Sequence, residues 1–272
     1  MRPSRVLAKL RAGEIVSCYK LNLDSARSAE IAALAGFDCL WTCTEHTAND
    51  YELIERQIWA AKCYDVDVVV RVARGSYSDY IRPLELDASG IMVPHVMSAE
   101  DARNVVRMTR FHPVGRRPVD SGNADGQYCG IDFCDYLKQA NEQRFLIVQI
   151  EDPEPLAELD AIAQVKGIDM LFFGPGDFSH SIGAPGDWKN QRITDARKRV
   201  AEAARKHGKW AGTVANVPKN ELLAMGDQFI AQGADVFAIA ADCRTIVQSF
   251  ADLKARPRIS TGGNIHWRLR PH

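Results

Sequence analysis

The chain has 272 residues, 46% of them hydrophobic, and its 34 basic and 35 acidic residues leave a formal net charge of -1. This length accommodates one barrel-sized domain with a substantial core, and we expect one domain rather than two. The near balance of charge gives no electrostatic signature for nucleic acid or an anionic membrane, so small molecules and further subunits are the expected partners.

Eight apolar runs with strand character recur along the chain, at 15–21, 37–43, 66–72, 90–96, 145–151, 168–174, 210–217 and 235–240. Most are continuous in hydrophobicity rather than alternating, as is typical of strands covered on both faces. Helical patterns accompany them, at 25–35, 51–63, 77–87, 99–111, 132–141, 155–165, 193–207, 219–232 and 243–253. This alternation predicts an α/β fold, a (β/α)8 TIM barrel.

Two segments fall outside this repeat. The stretch 113–130 is rich in Gly, Arg and Asp and indicates an elaborated loop after the fourth strand. From 255 onward the sequence is polar and has no helical period. We therefore divide the chain into a barrel at 1–254 and a C-terminal tail or arm at 255–272.

The sequence also predicts a cellular compartment. The N-terminal segment lacks an apolar signal core, and no run of residues approaches membrane-spanning length. The seven cysteines form no Cys-x-x-Cys pair and no zinc-ribbon spacing. We expect reduced thiols and a soluble, cytoplasmic protein.

Two acids stand at the ends of predicted strands, where barrel enzymes place their sites. Glu151 and Asp177 are one strand-helix-strand repeat apart, so a parallel sheet would bring both to the same edge. Two carboxylates suit Mg²⁺, Mn²⁺ or a similar divalent ion and leave positions for water and a chelating substrate. The alternative is that each acid caps the helix that follows it.

Further polar groups follow neighbouring strands. Arg71 could hold a substrate carboxylate in a two-pronged contact or pair structurally with an acid. His46 could be a general base or polar lining of the mouth. His95 receives no catalytic role, because its sequence context also suits packing or loop geometry.

Two other features leave alternatives open. The sequence Gly174-Pro175-Gly176 could receive an anion on its backbone N–H groups or form a sharp turn. Cys43 could be a nucleophile with His46 as its activating partner, but buried packing is the preferred interpretation.

An ordered set of motifs resembles the HpcH/HpaI-type aldolases over roughly residues 5–254. The motifs are Gly36-Phe37-Asp38, Glu45-His46, the strand ending in Arg71, 90–94, 111–117, 148–151, 167–169 and 173–179. The resemblance implies a (β/α)8 barrel and reversible aldol addition and cleavage, with a 2-oxo acid and an aldehyde as small-molecule partners. It also implies a homo-oligomer, a hexamer built from trimers.

The resemblance also implies which residues bind a metal ion and which residue transfers a proton. It implies that Glu151 and Asp177 bind a divalent metal ion (Mg²⁺, Mn²⁺ or Co²⁺), which makes a pyruvate-type enolate accessible without a Schiff-base lysine. His46 would match the histidine that performs acid and base chemistry.

The resemblance also assigns the substrate contacts. Arg71 would bind the substrate carboxylate and stabilise charge on the 2-oxo group, while Gln149 would line the site. The backbone at Gly176 and Asp177 would receive the carboxylate end of the substrate.

Two positions depart from the family pattern. Cys43 stands where an aspartate usually orients the imidazole, and a neutral thiol is a poor substitute for that carboxylate. Pro118 replaces a glycine in the long loop, which removes an N–H donor. These departures leave two alternatives: a different metal-enolate lyase, or a weakly catalytic protein that binds a 2-oxo acid.

Overall fold

The computed structural model describes residues 1–214 and the backbone of 229–232. Eight strands lie in these ranges: β1 (Val16–Lys20), β2 (Cys39–Cys43), β3 (Asp67–Arg71), β4 (Gly90–Val93), β5 (Phe145–Ile150), β6 (Met170–Phe173), β7 (Trp210–Val214) and β8 (Phe229–Gln232). Each strand pairs in parallel with the next, and β8 pairs with β1, so that the sheet closes.

Nine α-helices are present in the described residues: α1 (Arg5–Arg11), α2 (Ala26–Leu34), α3 (Tyr51–Lys62), α4 (Tyr77–Glu85), α5 (Ala99–Thr109), α6 (Phe133–Gln143), α7 (Leu159–Gln164), α8 (Pro175–Ser181) and α9 (Gln191–Lys206). Several begin at residues whose side chains accept a backbone N–H of the first turn, including Ser25, Asp50, Ser98 and Asp132. None of these helices is long and apolar enough to cross a membrane.

The predicted α/β class with a parallel sheet is confirmed, because helices alternate with parallel strands from β1 to β7. The helix expected at 243–253, the boundary at 254 and the C-terminal tail lie outside the described residues. The complete eightfold repeat and the tail therefore stay predictions.

The last described strand lies earlier than the sequence pattern indicated. A helix was predicted over 219–232, but its final four residues form β8, so that part of the prediction is wrong. A short apolar run such as Phe229-Ile230-Ala231 fits strand and helix alike, and the available edges of β7 and β1 favour the strand. The strand predicted at 235–240 lies outside the described residues.

Helix α1 was not predicted, because seven residues are too few for a clear period. Its Val6, Leu7 and Leu10 are buried and join the cluster of side chains inside the barrel. Asp67, at the start of β3, accepts from the backbone N–H of Val6 and the hydroxyl of Ser4. The helix therefore covers the end of the barrel at which the strands begin.

Alternation along β5 shows which residues face the barrel interior. Phe145 and Ile147 belong to the interior cluster, whereas Leu146 and Val148 belong to the cluster between strands and helices. Side chains of a strand point alternately to its two faces, so Gln149 continues the interior series at the C-terminal end.

Two other strands repeat this arrangement. Cys18 and Val69 belong to the interior cluster, and Lys20 and Arg71 lie two residues later at the ends of β1 and β3. The C-terminal mouth of the barrel is thus lined by a polar layer on top of apolar filling.

Candidate functional site

A cavity of about 470 Å³ opens at the C-terminal mouth of the barrel. All six residues that the sequence analysis assigned to the site line it: His46, Arg71, Gln149, Glu151, Gly176 and Asp177. The structure therefore brings the predicted residues together, although they come from four different strand ends.

Glu151 is held in place by two hydrogen bonds. Its Oε1 accepts from the backbone N–H of His95 at 2.9 Å, and its Oε2 accepts from Gln149 Nε2 at 2.9 Å. Burial raises the pKa of Glu151 to about 7; the charges of His95 and Arg71 oppose this rise and that of Asp177 adds to it. A nearby cation would stabilise the ionised form of this buried carboxylate.

Neither acid is the capping residue of the helix that follows it. The N-cap of α8 is Gly174, and the N-cap of the short 3₁₀ helix after Glu151 is Pro153. The capping alternative is therefore wrong. Oxygen atoms of Glu151 and Asp177 and a ring nitrogen of His95 lie within 4.8 Å of one another, close enough to share one ion.

Gly174 lies directly against Glu151. A Cβ at this position would be 2.5 Å from Glu151 Oε2 and 2.8 Å from Glu151 Cβ. Only glycine allows the end of β6 to pass this close to the carboxylate. Gly174-Pro175-Gly176 begins a helix and is not merely a turn.

His95 belongs to this group, although the sequence analysis gave it no catalytic role. Its Nδ1 lies 2.7 Å from Asp152 Oδ2, and its Nε2 lies 3.8 Å from Glu151 Oε1. Burial lowers the pKa of His95, but the hydrogen bond to Asp152 and the charges of Glu151 and Glu45 outweigh it, so the pKa is raised. The feature that could have identified His95 from the sequence is its position just beyond the end of a strand that lies beside β5.

Arg71 is both paired and partly available. Its Nε lies 2.9 Å from Glu45 Oε2 and donates to Cys43 Sγ at 3.3 Å. The guanidinium carbon lies 5.0 Å from the centre of the Trp41 ring. Its buried Nη2 has no hydrogen-bond partner among the described residues. Structural pairing is therefore present, and the two N–H bonds of Nη2 remain for a ligand.

His46 lies at the rim of the cavity with its side chain half exposed. Its Nε2 is 3.6 Å from Glu45 Oε2, beyond hydrogen-bond distance, and that acid already faces Arg71. Burial and the positive charge of Arg71 lower the pKa of His46, while Glu45 opposes them.

Cys43 is fully buried at the end of β2. Its Sγ accepts from Arg71 Nε and from the backbone N–H of His46 at 3.4 Å. This position agrees with the packing interpretation and supplies no carboxylate to the imidazole.

Lys20 is a site residue that the sequence analysis missed. It ends β1, lines the cavity and is only 6% exposed. Its Nζ lies 5.1 Å from the centre of the Trp41 ring. Burial and then the charge of Arg71 lower the pKa of Lys20 to about 8. Because Lys20 lies inside an apolar run, the sequence pattern did not identify it as a site residue.

The long loop at 113–130 is anchored away from the cavity. Arg117 Nη2 donates to Asp125 Oδ2 at 2.9 Å, and the Tyr136 hydroxyl donates to the same oxygen at 2.9 Å. No residue of the loop lines the described part of the cavity. Pro118 is therefore not among the described residues that line the cavity.

Comparisons with known sequences agree with this geometry. A sequence model of the HpcH/HpaI aldolase/citrate lyase family matches residues 18–248. The 2-keto-3-deoxy-L-rhamnonate aldolase of Escherichia coli K12 is 35% identical over 256 residues, covering 92% of this chain and 94% of the relative. The hydroxypyruvate/pyruvate aldolase of Pseudomonas aeruginosa is 33% identical over 260 residues, covering 95% and 97%.

Solved structures show the same likeness. An HpcH/HpaI aldolase from Desulfitobacterium hafniense DCB-2 superposes with a TM-score of 0.83 at 27% identity, covering 93% of this chain and 98% of the other. The citrate synthase SbnG superposes with a TM-score of 0.80 at 29% identity, covering 91% and 96%. The shared fold extends over nearly the whole length of both neighbours.

Proposed function

The chain belongs to the HpcH/HpaI aldolase/citrate lyase family, and from this premise we propose that it is a divalent-metal-dependent aldolase, a carbon-carbon lyase that cleaves or forms 2-oxo acids through a pyruvate-type enolate. The relationship expected from the motifs is thereby confirmed. Two curated relatives are named as aldolases of such acids. The observation that carries the proposal is one cavity that joins Glu151 and Asp177 with the guanidinium of Arg71.

Glu151, Asp177 and His95 are the residues that would hold the ion. Their donor atoms lie close together, and the buried Glu151 has a raised pKa that a cation would offset. When bound, a divalent ion would be chelated by the 2-oxo acid and would polarise its carbonyl group. The carboxylates suit Mg²⁺ and Mn²⁺, and the imidazole extends the range to Co²⁺.

Arg71 contributes the positive charge that faces the reacting group. Its free Nη2 can donate to the carboxylate of the substrate and to the oxygen on which negative charge develops. Glu45 holds the other side of the guanidinium, and Gln149 holds Glu151 by its amide. These contacts keep both groups in place before the substrate arrives.

The backbone at Gly176 and Asp177 would receive the carboxylate end of the substrate. Both residues lie in the first turn of α8, where backbone N–H groups have no partner within the helix. Apart from its chain neighbours and the backbone of its own helix, no heavy atom of the described residues lies within 4 Å of the position that a Cβ of Gly176 would occupy. A small anionic group therefore has room here.

His46 would move the proton of the acceptor hydroxyl. Because its pKa is lowered, its imidazole is neutral near pH 7 and can take this proton when the carbon-carbon bond is cleaved. No carboxylate within hydrogen-bond distance orients it among the described residues, so its contribution is smaller than that of a supported imidazole.

Enolisation of pyruvate tests this proposal directly. Exchange of the methyl protons of pyruvate for deuterium, followed by NMR, should occur with Mg²⁺, Mn²⁺ or Co²⁺ and stop when EDTA is added. The Glu151→Gln variant should be inactive with each ion. Exchange that is absent with all divalent ions would contradict the proposal.

A second candidate is a different lyase or condensation reaction on the same metal-enolate core, since a neighbour at 29% identity is named a citrate synthase. Product analysis with a panel of 2-oxo acids and aldehydes separates the two.

A third candidate is a weakly catalytic protein that binds a 2-oxo acid, and it is supported by Cys43 beside His46. Calorimetry would then show binding without turnover, even in the Cys43→Asp variant.

We also propose a homo-oligomer, a trimer or hexamer, in the cytoplasm, with the barrel completed as a (β/α)8 repeat. Ile31 and Leu34, neighbours on one face of α2, are 67% and 68% exposed and suit a subunit contact. Light scattering after size-exclusion chromatography tests the assembly. Six described cysteines are free, which suits a reducing compartment.

A further inference from the structure

A second groove lies on the outside of the barrel, between α5, α7 and the residues that follow α5. Its volume is about 530 Å³, and it shares no lining residue with the cavity at the mouth. Among its described lining residues none is acidic and four are cationic: Arg103, Arg107, Arg116 and Lys166. The groove is therefore a separate surface with a concentrated positive charge.

These four cations are not neutralised within the described part of the chain. Their side chains are exposed, and none of them makes an ion pair or a hydrogen bond with a described residue. The neighbouring groove between α7 and α9, of about 520 Å³, is different because acids line it as well. There Lys206 lies 3.0 Å from Asp160, and Arg199 donates to Leu156 O at 2.7 Å. Unmatched charge thus distinguishes the first groove from a surface of similar size beside it.

The segment after α5 is fixed against the helix, so the cations on both stand in a defined arrangement. The backbone N–H of Arg116 donates to Arg107 O at 2.7 Å. Gly115 lies so close to α5 that a Cβ there would be 2.5 Å from Val106 O. Only glycine allows this approach, which holds the wall of the groove in place.

The turn that carries Lys166 is fixed to the same helix. Arg110 Nε donates to Gly167 O at 2.9 Å. Gly167 has a φ of 98°, and a Cβ there would be 2.8 Å from side-chain carbons of Val106 and Val114. The groove is therefore formed before any ligand arrives, which lowers the entropic cost of binding.

The dipole of α5 explains only part of this charge. Basic side chains are favourable in the last turn of a helix, and Arg107 lies there. However, Arg107 O and Arg110 O already accept from the backbone N–H groups of Arg116 and Arg117. Arg103 lies a turn earlier, and Arg116 lies beyond the helix. Stabilisation of the helix end therefore does not account for the whole cluster.

The remaining lining residues indicate what kind of anion fits. Val106, Val114 and Val165 give the groove an apolar part beside its cations. Guanidinium groups match phosphate in two-pronged contacts, and a phosphate ester carries about two negative charges at pH 7. The volume of the groove is also that of a site for a small organic molecule.

We propose that this groove binds an organic bisphosphate, with its phosphate groups on the four cations and its organic part on the valines. Two phosphate groups carry about the charge that four cations neutralise. The site is independent of the metal site, because the two share no residue.

A matched series of sugars tests this proposal in the metal-loaded enzyme, at a constant concentration of free metal ion. Fructose 1,6-bisphosphate, fructose 6-phosphate and fructose differ only in their phosphate groups. By calorimetry, the bisphosphate should bind about tenfold or more tightly than the monophosphate, since a contact between charged groups is worth about this factor. Fructose should not bind, and added salt should weaken binding of the bisphosphate.

Variants of the groove show whether its cations are responsible. Arg107→Gln/Arg116→Gln should weaken binding of the bisphosphate by about tenfold or more, whereas Arg107→Lys/Arg116→Lys should keep most of it. Arg199→Gln/Lys206→Gln is the matched control, because it removes the same charge from the neighbouring groove, and it should bind as wild type does. Deuterium exchange into pyruvate should be unchanged in all three variants.

Three results would overturn the inference. The first is bisphosphate affinity that is equal in wild type and Arg107→Gln/Arg116→Gln, or that falls equally in the control. The second is loss of pyruvate affinity when the bisphosphate is present, which would place the probe at the mouth of the barrel. The third is no binding to wild type; if light scattering then shows a smaller assembly for Arg107→Gln/Arg116→Gln, the groove is a contact between subunits instead.

Discussion

His95 Nδ1 and Asp152 Oδ2 lie 2.7 Å apart, and this contact leaves Nε2 of the imidazole on the side of Glu151. A carboxylate that accepts from one ring nitrogen fixes the tautomer and makes the other nitrogen a better donor to a metal ion. The backbone of His95 reinforces this orientation: its φ is 48°, and its N–H donates to Glu151.

The first prediction concerns this imidazole. His95→Gln should weaken Co²⁺ binding by about 10- to 100-fold and affect Mg²⁺ less, because Mg²⁺ prefers oxygen ligands. Asp152→Asn should weaken Co²⁺ binding in the same direction. Calorimetry and the visible spectrum of bound Co²⁺ measure both effects.

A matched control is available for that experiment. His207 Nε2 lies 2.8 Å from Asp160 Oδ1, a similar pair at the surface. His207→Gln should leave the Co²⁺ spectrum unchanged. A Co²⁺ affinity that is equal in wild type and His95→Gln would show that the imidazole is not a ligand.

The second prediction concerns the glycine beneath Glu151. In Gly174→Ala, the new methyl group would lie 2.5 Å from Glu151 Oε2, so the carboxylate must move. We expect metal affinity to fall at least tenfold, an effect of the order found when a group that orients a ligand is lost. Calorimetric titration with Mn²⁺ measures the change.

Gly122→Ala is its control, since the nearest atom there is the movable Oδ1 of Asp120 at 3.1 Å. Metal affinity should remain as in wild type. If Gly174→Ala also binds Mn²⁺ normally, the position of Glu151 does not depend on this close approach.

How far the site could be predicted depends on which contacts lie within one strand. Glu151 was identified because an apolar run ends at it, whereas Gln149 was assigned through the resemblance to the family. The alternation of β5 explains why Gln149 faces inward. His95 could not be assigned from its own segment. Its orientation comes from Asp152, which is 57 residues away in the sequence.

The same limit explains the other differences. Lys20 lies within a run whose other members pack as an ordinary strand, and its significance comes from Trp41 on the next strand. Strand β8 depends on the free edges of β7 and β1, which no local pattern reports. Periodicity therefore predicted the architecture, while contacts between strands decided the roles of individual side chains.

The third prediction concerns stability and pH. The pKa of Lys20 is lowered to about 8 from 10.5, so below about pH 8 the folded protein bears the cost of a buried charge. Between these values the unfolded state holds more protons, and stability rises with pH. Lys20→Met should therefore stabilise the metal-free protein at pH 7, by on the order of 3 kcal/mol, and by much less at pH 10.5.

Urea unfolding at the two pH values measures this difference. Lys206→Met, at a side chain that is 63% exposed, should show no comparable gain at pH 7. An equal gain from Lys20→Met at both pH values would mean that lost charge is not the cause.

The fourth prediction separates two roles of Arg71. Arg71→Met should reduce deuterium exchange into pyruvate by about 100-fold or more, the size of effect seen when a donor to a developing oxyanion is removed. It should also destabilise the fold, because Glu45 is left in the mouth without its partner. Adding Glu45→Gln should restore stability but not exchange. Exchange that recovers in the double variant would assign Arg71 a structural role alone.

The last prediction concerns the missing partner of His46. Cys43 Sγ lies 3.4 Å from the backbone nitrogen of His46, so an acid in its place would add negative charge close to the imidazole. In Cys43→Asp the pKa of His46 should rise, because an opposite charge favours the protonated form.

The pH profile of kcat/KM should therefore shift upward in Cys43→Asp, and the imidazole signals of His46 in NMR should titrate at the same higher pH. Cys43→Asn has nearly the same shape without the charge and should leave both unchanged. A profile that shifts equally in the two variants would mean that local packing, rather than charge, controls the imidazole. If the NMR titration of His46 shifts in Cys43→Asp but the pH profile of kcat/KM does not, His46 is not the group whose proton limits turnover.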